Sequence, residues 1–197
     1  VTLGVDEIAQ AKRAGNANND WVLTRNLLAN HGVEKSLTEV TQVFEELYQG
    51  TEDTPGLKLR EVAMIDREQL ESLQAKYKLA VVTGRPRNDA LDFLEREGLQ
   101  DLFDVLVCME DAPAKPSPKP IEIACARLGA ERAWMIGDTP DDMRAARAAT
   151  SDGEVACACF GMLPPSTSDS DKASEALLHS GAGRIFSSWF DLLEKLL

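Results

Sequence analysis

Met135-Ile136-Gly137-Asp138-Thr139-Pro140-Asp141-Asp142 decides how this chain is read. The apolar run Ala133-Trp134-Met135-Ile136 has the length of a short buried strand and stops at Gly-Asp. A helix start follows, carrying a further acid four residues beyond Asp138. In open parallel α/β sheets, ligands sit at the carboxyl ends of the strands. Hard oxygen ligands at a strand tip suit Mg²⁺. Carboxylates this close repel one another unless they share a cation. Acids also favour helix N-termini for capping and dipole reasons alone, and that account suffices for Asp141. Asp138 and Asp142 are the candidate metal ligands.

Two more strand ends carry chemistry upstream. Leu79-Ala80-Val81-Val82 runs into Thr83-Gly84-Arg85-Pro86. A hydroxyl at the strand tip, a glycine that lets backbone approach a ligand, and the free N–H groups of a helix start together suit a phosphate. Thr83 as a plain turn residue is the competing reading. Val105-Leu106-Val107-Cys108 leads into an acidic, proline-rich loop with Lys115-Pro116-Ser117-Pro118. The prolines limit where Lys115 can point, and a fixed ammonium can neutralise a phosphoryl group or a carboxylate nucleophile. A solvated loop lysine is the bland alternative, and Lys119 lies beyond the stiff unit.

The period of the pattern changes near residue 63. Before it, residues 1–62 read as helical. Val5 to Lys12 form a short helix, then comes the polar loop Gly15-Asn16-Ala17-Asn18-Asn19-Asp20, then helically spaced Trp21, Leu23, Leu27 and Leu28. Ser36-Leu37-Thr38-Glu39 predicts a capped third helix with Val40, Val43, Phe44, Leu47 and Tyr48 on one side. Gly50 to Gly56 is a turn-rich linker. Beyond residue 63, helices at 67–76, 88–97, 121–128 and 141–149 alternate with strands at 79–82, 105–108, 133–136 and 155–160. A loop at 163–171, a last strand at 184–186 and a helix at 189–197 complete the pattern. This alternation predicts an α/β core at 63–197 beside a small helical module at 1–62.

The bulk composition is consistent with that. The chain has 197 residues, is 44% hydrophobic and carries a net charge of -12, enough to bury a real core. No basic stripe of the kind that meets nucleic acid is present. No apolar run approaches the ~20 residues that span a membrane, and no signal peptide is visible. Val1 in place of Met reads as a removed start or a fragment. Cys108, Cys125, Cys157 and Cys159 lie in apolar surroundings, which suggests buried thiols in a reducing, cytoplasmic compartment. Cys157 and Cys159 are two apart and share a strand face; without a second Cys/His pair at zinc spacing they read as packed side chains.

Thr at one strand end, then Lys-Pro-x-Pro, then Gly-Asp-x-x-x-Asp is the order of the second, third and fourth motifs of the haloacid dehalogenase superfamily, and residues 63–197 resemble its Rossmann-like three-layer core. The helical module at 1–62 is similar to the cap that its first subfamily inserts between motifs one and two. Gly181-Ala182-Gly183-Arg184-Ile185 and the helix after it resemble the end of that core. The resemblance implies that Thr83 bonds the transferring phosphoryl group, that Lys115 holds nucleophile and phosphate charge, that Asp138 binds Mg²⁺ and that Asp142 supports the metal or its water. Gly84 and Arg85 would reach substrate. The loop from Lys12 to Asp20, with Asn18, would face the site and select the substrate, a small phosphorylated metabolite.

One part of the pattern is missing. The superfamily's first motif, Asp-x-Asp, supplies a nucleophile and a general acid and base. No such pair stands at an apolar strand end here; Asp169-Ser170-Asp171 has the letters but sits in a Ser-rich loop. The resemblance places the first strand between the strands ending at Thr83 and Asp138, so those two should not pair directly. The activity implied is a Mg²⁺-dependent phosphatase, with this chain inactive without the nucleophile. A catalytically dead domain that binds a phospho-ligand or a protein is the alternative. A mutase shares the layout, a dehalogenase would not need the metal, and a receiver domain would lack the cap. The apolar positions of the cap helices leave room for a homodimer.

Overall fold

The computed structural model describes residues 1–197 except Asn16, Asp152 and Glu154. Asn16, within the loop expected to select substrate, therefore lies outside the described residues. Helices α1 (Val5–Ala14), α2 (Asp20–Asn30) and α3 (Leu37–Gln49) come first, followed by a short 3-10 turn at Leu57–Arg60. Local chemistry sets their starts. Asn19 accepts the Val22 N–H at the head of α2, and Ser36 and Glu39 cap α3 reciprocally. Then come α4 (Arg67–Gln74), β1 (Ala80–Val82), α5 (Arg87–Arg96), β2 (Val105–Val107), α6 (Lys119–Leu128), β3 (Arg132–Gly137), α7 (Pro140–Ser151), β4 (Ala156–Met162), α8 (Ser170–Ser180), β5 (Arg184–Phe186) and α9 (Trp189–Leu196).

Two expectations need correction. Val43 and Leu47 do not share the inward face of α3: they are 56% and 60% exposed, while Val40 is buried and Phe44 and Tyr48 are half-buried. The helix turns its i, i+4 row at 40, 44 and 48 inward, and the row one step round faces out. The segment 163–171 is a loop only as far as Asp169. Asp169 accepts the Lys172 N–H and starts α8, which places Leu177 in the core at 1% exposure. Its first turn is polar, so the helical period is hidden until late in the segment.

All strand pairs are parallel. β1 pairs with β2, and β3, β4 and β5 form a second ribbon in that order. Side chains alternate across both ribbons with period two. Val82, Met135, Cys157, Cys159 and Ile185 face a core built with α6, α7 and α8. Their neighbours Val81, Leu106, Ile136, Phe160 and Phe186 face a second core built with α4, α5 and α9. The two ribbons thus share the same two helical layers and form one three-layer α/β unit.

Yet β1 and β3 are not hydrogen-bonded to each other. The Thr83 N–H bonds Val107 O, so the alternate residue Val82 turns its polar groups away from β2. Among the described residues no strand meets them; Lys115 Nζ donates to Val82 O at 3.1 Å instead. Among the described residues the β3 edge away from β4 likewise has no strand partner.

All four cysteines are free and buried. Burial raises each thiol, Cys157 to about 12. Cys157 and Cys159 pack in the same core as expected. Thiolate is the reactive form, so native protein is expected to react with a thiol reagent only as fast as it unfolds. Four thiols titrating at free-cysteine rates in the folded protein would contradict this burial. Among the described residues no helix is long and apolar enough to cross a membrane.

Candidate active site

Three strand tips and the N-terminal helices enclose a cavity of about 600 Å³. Thr83 and Gly84 follow β1, Met109 and Lys115 lie in the loop after β2, and Asp138, Thr139 and Asp142 follow β3. The opposite wall comes from Asn18 and Trp21 at the start of α2 and from Phe44, Glu45 and Tyr48 on α3. The residues singled out from the sequence therefore converge on one space.

The floor is an ion pair. Lys115 Nζ lies 2.6 Å from Asp142 Oδ1, with the side chains only 9% and 4% exposed. The other oxygen of Asp142 accepts the Thr139 N–H at 3.0 Å and the Thr139 hydroxyl at 2.7 Å. Thr139 Oγ1 accepts the Asp142 N–H in return, at 3.3 Å. Asp142 thus closes a reciprocal cap on α7 and fixes Lys115 at once. Gly137 makes room for it, since a Cβ there would meet Asp142 Cβ and Cγ at 2.5 Å. Gly137→Ala is expected to dislodge Asp142 and cost roughly 1–3 kcal/mol in a urea melt; an unchanged midpoint would contradict the fit.

Asp138 sits differently. Its carboxyl opens into the cavity and is exposed there. The surrounding protein, and next the charge of Asp142, still push it above the ordinary carboxylate range. A carboxylate disfavoured by its surroundings, with no side-chain donor among the described residues, is a group that a cation would relieve. Among the described residues no three His, Cys, Asp or Glu side chains cluster as a metal cage. Mg²⁺ commonly needs only one or two carboxylates beside waters and phosphate oxygens, so the site fits. Asp138 is the side chain free to ligate, and Asp142, with both oxygens engaged, stands behind it.

Thr83 Oγ1 accepts the Arg85 N–H at 3.2 Å, which leaves its hydroxyl proton free to donate. Arg85 itself is committed. It makes a two-armed pair with Glu61 at 2.8 and 2.9 Å, and its guanidinium also donates to the Tyr48 hydroxyl at 3.1 Å. Burial, with Glu61 opposing any ionisation, lifts Tyr48 to about 12 and keeps it protonated. Lys119 pairs with Glu122 at 2.6 Å, outside the cavity lining.

Asn18 lies in the cavity, but its amide donates to Asp141 Oδ2 at 2.8 Å and to Lys115 O at 3.1 Å. Asp141 also accepts the Ala17 N–H at 3.3 Å and is 1% exposed. Its role is to fasten the 17–18 segment onto α7, where helix-start chemistry alone had accounted for it. Gly84 completes the clamp: a Cβ there would meet Asn18 O at 2.6 Å. No local pattern announces a contact between residues 123 apart. The only signal was an extra acid beside Asp142.

A family model described as haloacid dehalogenase-like hydrolase matches residues 22–152. An imidazoleglycerol-phosphate dehydratase from Phytophthora nicotianae is 43% identical over 175 residues, covering 85% of this chain and 37% of that protein. A phosphoglycolate phosphatase from Vibrio vulnificus is 27% identical over 190 residues, covering 88% of this chain and 78% of that one. A crystal structure of a predicted phosphoglycolate phosphatase from Haemophilus somnus aligns with a TM-score of 0.67 at 20% identity, over 96% of this chain and 82% of the other. That likeness concerns the fold. The chain spans about a third of the length of the first curated relatives it matches. With a family match over most of the chain and a three-layer fold to go with it, this chain belongs to the haloacid dehalogenase-like hydrolases.

Proposed function

We propose that this chain is the phosphoryl-binding part of a Mg²⁺-dependent phosphatase for small phosphate monoesters, with residues 1–62 as a helical cap over a core at 63–197. Thr83 donates its hydroxyl proton to a phosphoryl oxygen. Lys115, held by Asp142, supplies fixed positive charge at the same place. Asp138 holds the metal with Asp142 behind it, and Gly84 lets the cap loop close against the core. Mg²⁺ held there would supply charge to offset that of the phosphoryl group. Arg85 braces the cap wall through Glu61 and reaches the substrate only at its edge.

The observation that carries this reading is the slot between β1 and β3. Among the described residues neither strand has a strand partner on that edge, and Lys115 reaches across one of the edges. A short strand makes roughly eight backbone hydrogen bonds, and each buried orphan group costs about 1–3 kcal/mol. A strand seated there would satisfy both edges and bring an Asp-x-Asp tip beside Thr83, Lys115 and Asp138. Its first carboxylate would attack phosphorus, and the alcohol would leave with a proton from the second. Water would then hydrolyse the aspartyl-phosphate.

The relatives' names put 2-phosphoglycolate and imidazole-bearing phosphate monoesters first among substrates to screen. Free buried thiols suit a reducing cytoplasm. The exposed Val43 and Leu47 row leaves room for a homodimer. Neither nucleic acid nor a membrane is part of this proposal.

The test is Mg²⁺-dependent phosphate release from p-nitrophenyl phosphate, by this chain alone and by the chain joined to a strand bearing Asp-x-Asp. The reading expects turnover only in the second. Turnover in neither would favour the other reading, a domain that binds a phospho-ligand without chemistry. The observation on that side is that no Asp-x-Asp pair stands at an apolar strand end in this sequence.

A further inference from the structure

The cavity has two chemically different ends. Its floor carries Lys115, Thr83 and Asp138 and suits a phosphoryl group with its metal. The far wall carries three aromatic side chains, Trp21, Phe44 and Tyr48, the last two stacked with ring centres 6.0 Å apart.

The charges on that wall do not balance. Lys12 answers Asp20 at 3.5 Å, and Arg85 answers Glu61. Glu45 and Asp89 have no cation of their own among the described residues. Glu45 accepts the Trp21 indole N–H at 3.2 Å and a Gln49 amide N–H at 3.1 Å. The same Gln49 amide nitrogen donates to Asp89 at 2.7 Å. Two carboxylates are thus linked through one neutral amide at the rim of an aromatic wall. Aromatic faces attract cations and planar N–H-bearing rings. Uncompensated carboxylates attract the same groups and repel anions. A substrate whose second group is a carboxylate would place it toward Glu45 and Asp89.

We propose that the phosphate monoester taken by this site carries, beyond its phosphate, a cationic or N–H-donating planar group that lies on Trp21, Phe44 and Tyr48 and faces Glu45 and Asp89. This rests on the phosphatase reading above and narrows its substrate class away from carboxylate-bearing esters.

The test titrates the full chain calorimetrically, in Mg²⁺ at pH 6, with inorganic phosphate, imidazol-4-ylmethyl phosphate and 2-phosphoglycolate. The imidazolyl ester is expected to bind at least about tenfold tighter than 2-phosphoglycolate, a difference of ~1.4 kcal/mol. In a Glu45→Gln, Asp89→Asn double variant the ratio between the same two ligands should fall toward one. Reading the ratio within one protein controls for any general damage to the fold. Equal or tighter binding of 2-phosphoglycolate, or a ratio untouched by the double variant, overturns the proposal while inorganic phosphate still binds. If inorganic phosphate does not bind either, the phosphatase reading fails and the substrate class falls with it.

Discussion

Replacing Lys115 with methionine is expected to destabilise the protein by about 3–5 kcal/mol, because it strands Asp142 as a buried charge. Asp142 is 4% exposed and its remaining donors, Thr139 N–H and hydroxyl, are neutral. For a chain of this size that corresponds to a Tm lower by roughly 6–20 °C. The companion variant separates charge from shape. In Lys115→Met, Asp142→Asn the capping contacts of residue 142 can persist, and no buried charge remains. Most of the stability should return, while phosphate binding stays lost. A single variant that melts with the native protein would show that the pair is not a true buried ion pair. A double variant no better than the single would show that the damage lies in packing rather than in charge.

The second large effect belongs to Asp138. Its carboxyl is pushed up by the surrounding protein and by Asp142, so the sign follows from linkage. A raised carboxyl contributes stability at pH below its unfolded value, and that contribution is lost as pH rises through the folded value. At neutral pH without metal, ionised Asp138 is therefore a net cost. Asp138→Asn should raise the metal-free Tm at pH 7 and have little effect in acid. The gain is modest, since the carboxyl opens onto solvent in the cavity. The effect on metal is not modest: Mg²⁺ should raise the native Tm and leave that of Asp138→Asn unmoved. Thermal melts of both proteins across pH, with and without Mg²⁺, measure all of this. A variant destabilised at pH 7 without metal, or one still responsive to Mg²⁺, would count against Asp138 as the ligand.

Thr83, Lys115 and Asp138 were legible because each stands next to a strong punctuation mark: the end of an apolar run, a pair of prolines, a Gly-Asp strand tip. Parallel strands aim such tips at one end of the sheet, so three local readings give one site. The roles within it were less legible. Asp142 does two jobs, one through Thr139 and one through Lys115. Only the first, with Thr139, is local enough to show in sequence. Arg85 looked available, and Glu61, 24 residues away, takes its fork. Asn18 lines the cavity, but its amide is spent on Asp141 and Lys115.

The same limit explains the fold-level misses. Val43 and Leu47 fit the helical period that Val40 sets, and only the packing of α3 shows which of its two apolar rows turns inward. The start of α8 is polar, and Asp169 as its cap looked like loop chemistry. The gap between β1 and β3 was anticipated from the resemblance alone; no residue in either strand announces which edge stays unpaired.

Titration of the full chain with inorganic phosphate, followed calorimetrically with and without Mg²⁺, tests the central claim most directly. Thr83, Lys115 and Asp138 as one phosphoryl site predict binding of one phosphate per chain that strengthens when Mg²⁺ is present and disappears in the Lys115→Met, Asp142→Asn protein. Phosphate that fails to bind with Mg²⁺, or that binds the double variant as well as the native chain, would contradict it.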